Sequence, residues 1–161
     1  MNVVLSKVEL GQKPILRNLV EYYEYDFSIY TDRDVNSSGT FEYKYLDNYW
    51  TEENRYPYFI IVDEQYAGFA LIRKIFKDKG SYYSMAEFFV LKKYRRKNVG
   101  KKAAYIIFKT YKGIWHIHQH EKNIPSQIFW RNIIKEYTEN NYKELSKEES
   151  GVDGPCQMFH T

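Results

Sequence analysis

The sequence predicts an α/β (α+β) fold: a mixed, mainly antiparallel sheet of about seven strands with helices on both faces, in the order β-α-α-β-β-β-α-β-α-β-β. Three observations predict it. Short apolar runs rich in β-branched and aromatic residues recur between turn residues, as strands do. At least three segments place apolar residues at helical spacing. Between Val62 and Tyr82 the connections are too short for anything but hairpins, so the middle of the sheet is antiparallel.

Taken in order, Asn2 to Val8 is a short strand. Pro14 to Ser28 is a helix, with Ile15, Leu16, Leu19, Val20, Tyr23 and Phe27 on one face and Pro14 in the first turn. Thr31 to Gly39 carries Asp32, Asp34, Asn36 and Gly39 and is a loop. A second helix is expected to include Tyr43 to Trp50. Pro57 ends the segment before the strand Tyr58 to Val62. Asp63-Glu64-Gln65 turns the chain into a strand from Tyr66 to Lys74, and Lys77 to Gly80 turns it again. Tyr82 to Leu91 is the central strand. Lys92 to Asn98 is a cationic loop, and the helix after it runs from Val99 to about Tyr111, stopping at Gly113. Ile114 to Gln119 is a strand. Asn123 caps the helix that follows, with Pro125 in its first turn. Tyr142 to Leu145 and Cys156 to His160 are closing strands.

The chain has 161 residues, suited to one domain spanning 1–161. A single cysteine, Cys156, excludes an internal disulfide framework. No charged-then-apolar leader and no bilayer-length apolar run is present, so a soluble cytoplasmic protein, monomer or homodimer, with no membrane partner is expected. Tyrosine is abundant, at 17 residues, and suits half-buried pocket walls where the ring packs and the hydroxyl finds a partner. Charge is uneven: residues 1–66 carry a balance of −6 and residues 67–161 a balance of +9. That division suits a protein that holds a polyanion with one part and a cation with another, and equally two solvated faces of unlike sign.

Chemistry concentrates where the central strand feeds a helix through the cationic loop. Unpaired backbone amides at a helix N-terminus attract anions, aided by the helix dipole. Arg95-Arg96-Lys97-Asn98-Val99-Gly100 resembles the pyrophosphate-binding signature Q/R-x-x-G-x-G/A of the GNAT superfamily of N-acetyltransferases. Asn98 replaces the first glycine, and Asn tolerates a left-handed backbone well. Asn123-Ile124-Pro125-Ser126-Gln127-Ile128-Phe129-Trp130 resembles the same family's N-x-x-A-x-x-F/L-Y segment.

The resemblance implies acetyl-CoA as cofactor. Its pantetheine arm would pair with the strand Phe88-Phe89-Val90, Val90 above all. Its pyrophosphate would rest on the amides of Arg95, Arg96, Lys97, Asn98, Val99, Gly100 and Lys101. Asn123 would contact the pantetheine, or act only as a helix cap. Trp130 falls where the family often has a tyrosine that protonates the departing thiolate, a role an indole cannot fill.

Glu87 is the one carboxylate inside the central strand, and is a candidate general base or a solvent-facing charge. His116, His118 and His120 alternate, but no Cys or carboxylate cluster supports a metal, and none is expected. By family analogy the acceptor side comes from the first two helices and their loop, where Tyr30, Asp34 and Glu42 offer carboxylates among aromatics for a cationic amine.

These readings point to an acetyl-CoA-dependent N-acetyltransferase acting on the amine of a small molecule or a peptide amino group, by direct attack in a ternary complex. The alternatives are a non-catalytic acyl-CoA-binding module of the same fold and a nucleic-acid-binding protein. Only Tyr94 interleaves with the basic loop residues, unlike the aromatic–basic pattern of nucleic-acid binders.

Overall fold

The computed structural model describes residues 1–161. Its strands are β1 (Val3–Lys7), β2 (Arg55–Val62), β3 (Gln65–Lys77), β4 (Gly80–Val90), β5 (Ile114–His118), β6 (Lys143–Glu144) and β7 (Cys156–His160). Its helices are α1 (Lys13–Thr31), α2 (Asn48–Thr51), α3 (Val99–Thr110), α4 (Ile124–Tyr137) and α5 (Lys147–Ser150). They form one seven-stranded sheet in the order β1-β2-β3-β4-β5-β7-β6. Every pairing is antiparallel except β4 with β5.

Both faces of the sheet are covered, which is why β3 is an unbroken apolar run from Ala67 to Ile72 rather than an alternating one. On one face Leu16, Leu19 and Val20 of α1 pack on Phe59, Phe69, Leu71 and Phe89. On the other, Ala104, Ile107 and Phe108 of α3 and Trp130, Ile133 and Ile134 of α4 pack on Ile72, Met85, Trp115, Ile117 and Phe159.

Two expectations are corrected. Tyr43 to Trp50 is not a helix: successive i→i+3 turns lead into the single helical turn Asn48–Thr51. Tyr, Asn and Asp are weak helix formers, and long-range bonds set this path instead. The Trp50 indole donates to the Val8 carbonyl at 3.0 Å, and the Tyr43 hydroxyl reaches β4. Pro57 lies inside β2, which starts at Arg55. Its carbonyl accepts from Val8 N at 2.9 Å, so its ring nitrogen faces the end of β1, where no ladder donor is needed. The turn α5, with Ser146 as a reciprocal cap, is an addition to the predicted elements.

Candidate active site

The parallel pairing of β4 and β5 is confined to Tyr83 with Trp115 and Ser84 with His116. Beyond Ser84 the two strands part. On its other edge β4 stays paired to β3 through Val90, with a register shift that leaves Ala86 as an extra residue. Leu91 N donates to Ala67 O at 2.8 Å. By the alternation of an antiparallel ladder, Val90 and Phe88 therefore turn their N–H and C=O groups to the parted side. Phe89 points its backbone at β3 and its ring at α1, so it reaches the cleft as a packing residue only. Gly68 lets the strands close up there, since a Cβ on it would lie 2.0 Å from the Phe89 carbonyl oxygen.

The loop after β4 makes a short 3-10 turn over Lys92–Tyr94 and then bends twice through the left-handed region, at Arg96 (φ 58°) and Asn98 (φ 60°). Arg95 N bonds to Lys92 O at 3.2 Å, and the next backbone amide to find a protein acceptor is Lys102 N, bonded to Asn98 O at 3.0 Å. The amides from Arg96 through Lys101 are bonded to no protein atom, and all of these residues but Lys97 line a cavity of about 620 Å³ walled by α3 and α4. Alternating backbone twists of this kind converge N–H groups into an anion nest. Gly100 keeps its mouth clear, because a Cβ there would meet the Phe129 ring at 2.9 Å. Lys101 is turned aside into an ion pair with Glu136.

Arg95 departs from a simple phosphate role. Its Nε donates to the Val90 carbonyl at 2.7 Å and its Nη2 to Asp26 of α1 at 2.5 Å. It thus ties the cleft strand to α1 over the entrance. Asn123 Oδ1 accepts from Ser126 N at 3.1 Å, the helix cap expected, and the residue also lines the cleft. Trp130 is buried, edge-on to Phe88 at 5.0 Å, and forms part of the same wall.

Glu87 is the chemical centre of the cleft. It lines both the inner cavity beside Trp130 and Asn123, of about 320 Å³, and a larger one of about 570 Å³ on the other side. The Tyr43 hydroxyl donates to its Oε1 at 3.1 Å and the Tyr23 hydroxyl donates to its Oε2. Burial pushes its pKa up from 4.5 to about 7, and the two tyrosine donors hold it from rising further. Tyr23 itself is driven well above 10 by burial and by the Glu87 charge, so it stays a phenol donor.

The sequence placed Tyr23 on the apolar face of the first helix and Tyr43 at the start of an expected second one, with no tie to Glu87. Their bonds to Glu87 span 64 and 44 residues, beyond the reach of any local pattern.

The expected acceptor residues are not brought together. Tyr30 lines the part of the cleft that Val90 and Asn123 share, beside Phe27 and His120. Glu42 Oε1 accepts from Asn36 Nδ2 at 2.8 Å within the loop, and the residue faces a separate cavity with Arg17 and Lys44. Asp34 is exposed on that loop and touches none of these cavities. The loop is committed to structure: buried Glu24 pairs with Arg33 at 2.6 Å, and Arg33 also donates to the carbonyls of Phe41 and Glu42. The cavity of about 570 Å³ around Glu87 is lined instead by Tyr43, Tyr45, Arg55, Arg73, His116 and His118.

The histidines diverge. His116 stacks on Tyr82 at 3.9 Å, His118 Nε2 donates to the Asp153 carbonyl at 2.5 Å, and His120 packs edge-on to Phe27. No three His, Cys, Asp or Glu side chains converge as a metal site.

A parted sheet, a nest of unbonded amides at one end and a tyrosine-held carboxyl in the middle make up one continuous cleft. The sequence model of the acetyltransferase (GNAT) family matches residues 17–133, and this chain belongs to that family. Solved structures agree on the fold. An acetyltransferase from Streptococcus agalactiae 2603 superposes with a TM-score of 0.66 at 19% identity, covering 99% of this chain and 98% of its own. A GNAT-family acetyltransferase from Staphylococcus aureus Mu50 gives 0.65 at 14% identity, covering 99% of both. An aminoglycoside acetyltransferase from an uncultured soil metagenomic sample, in complex with sisomicin, gives 0.60 at 14% identity, covering 81% of this chain and 86% of its own. Among curated proteins, none matches this sequence. No helix is long and apolar enough to cross a membrane.

Proposed function

We propose that this chain is an acetyl-CoA-dependent N-acetyltransferase that acetylates the amine of a small molecule by direct attack in a ternary complex. The observation that carries the reading is the continuity of the site: free amides from Arg96 to Lys101, the outward N–H of Val90, and Glu87 lie along one cleft. Those residues fit a coenzyme A arm, since the nest accepts a diphosphate without any side chain and Gly100 leaves room for it. Acetyl-CoA, when bound, supplies the acetyl group as an already activated thioester.

The protein's own residues do the rest. Glu87, with a pKa of about 7, is half ionised at neutral pH and can take a proton from the acceptor ammonium. Tyr23 and Tyr43 fix the carboxylate's orientation. The aromatic walls, Phe27, Phe88 and Trp130, exclude water from the meeting point. Trp130 offers only an indole N–H donor at the position where a tyrosine acid is common in the family, and it cannot itself supply a proton. The aminoglycoside acetyltransferase of the same fold supports a small-molecule acceptor over a macromolecular one.

Trp130 also favours a second reading, an acyl-CoA-binding module without turnover. Thiol release from acetyl-CoA with a panel of amines decides between them. Amine-dependent release supports the transferase; tight acetyl-CoA binding by calorimetry without release on any amine supports the module.

A further inference from the structure

The cavity beyond Glu87 carries a charge pattern that its acetyl-transfer role leaves unexplained. Arg55 and Arg73 are direct cross-strand partners on β2 and β3, and both line it. Like charges opposite one another destabilise a sheet unless an anion lies between them. One carboxylate serves the pair unequally: Glu52 takes Arg55 Nε at 2.5 Å, with Asn48 donating to its other oxygen at 2.6 Å. Arg73 is half-buried and enters no ion pair and no side-chain hydrogen bond with the protein. A guanidinium that has lost part of its water and found no acceptor is a binding element in want of a partner.

Its placement fits a small acceptor. Arg73 pairs with Ser84 across the ladder and Leu71 with Glu87, so guanidinium and carboxyl spring from points two residues apart on the same sheet face. That separation is about 7 Å along the strands. Tyr43, Tyr45 and Tyr82 close the space between as an aromatic wall. Apart from Glu87, no carboxylate lines the cavity.

Presupposing acetyl transfer at Glu87, we propose that the acceptor is an amine that also carries an anionic group, a carboxylate or a phosphate, and that Arg73 binds that group while the amine faces Glu87. The planar fork of Arg73 takes two oxygens of either anion side by side. Arg73 is a specificity-determining residue in this arrangement and moves no proton.

The test pairs acceptors that differ only in the anion: phenylalanine against phenethylamine, and O-phosphoethanolamine against ethanolamine. The wild-type protein is expected to favour the acidic member of at least one pair by about 10- to 100-fold in kcat/KM, and the pair that does so separates carboxylate from phosphate. Arg73→Ala should collapse that ratio towards one, mainly through KM, and Arg73→Lys should keep the charge yet recover only part of it. Transfer to amines with no preference for the acid, or a preference that survives Arg73→Ala, overturns the proposal while leaving acetyl transfer intact. Should no amine be acetylated, the transfer reading itself fails. The anion site is then read by calorimetry of N-acetylphenylalanine and its amide on the coenzyme A-loaded protein, where equal affinities overturn it.

Discussion

Glu87→Gln separates what this side chain does for chemistry from what it costs the fold. In the native protein burial raises the carboxyl from 4.5 to about 7. A folded pKa above the unfolded one means that the native state holds the proton more tightly, so stability is full below about pH 4.5 and is lost as pH rises through 7. At pH 8 the buried carboxylate therefore costs about 3 kcal/mol, whereas at pH 5 the cost is under about 1 kcal/mol. Glutamine has the same shape and never ionises. Glu87→Gln should raise Tm at pH 8 by roughly 6–12 °C and change it little at pH 5. In the same protein kcat/KM at pH 7 should fall by about 10²- to 10⁴-fold, the usual contribution of a general base. Wild-type kcat/KM should climb with a limb near pH 7, and the variant should lack that limb. Calorimetry at the two pH values and a pH–rate profile measure both effects. A Tm difference that is the same at pH 5 and pH 8 would refute the buried-carboxylate argument. A wild-type profile flat through 7 would remove Glu87 as the base.

Tyr43→Phe deletes the donor at 3.1 Å from Glu87 Oε1. The carboxylate loses stabilisation, so the limb of the pH–rate profile should move up by about one pH unit, and an unmoved limb would mean that Tyr43 does not face the ionised form. Gly100→Val places a branched side chain where a Cβ alone already lies 2.9 Å from the Phe129 ring. Coenzyme A affinity by calorimetry should drop by about 100-fold or more through lost amide contacts, with far-ultraviolet dichroism unchanged; undiminished affinity would place the diphosphate elsewhere.

How much was legible in the sequence depends on the range of the forces involved. The strand from Tyr82, the cationic loop and the helix at Val99 were readable because each is fixed by its own neighbours. Asn98 takes the left-handed conformation that its short polar side chain tolerates, and Asn123 caps α4 through a bond three residues away. The same locality failed at Tyr43–Trp50, expected as a helix, where contacts to Val8 and Glu87 hold the chain in turns.

Residue types and local order by themselves determined the seven-stranded plan, the amide nest and the single carboxyl of the central strand. Only the tertiary structure decided what surrounds that carboxyl. Tyr23, Tyr43 and Arg73 come from three separate elements and meet at Glu87's cavities because α1 and the loop after it fold onto one face of a sheet that parts beyond Ser84. The same folding leaves Asp34 and Glu42 outside the cavity around Glu87, which Arg55 and Arg73 line instead. A pKa, a cavity's charge and an unpartnered guanidinium are sums over neighbours distant in sequence, and no periodicity along the chain encodes them.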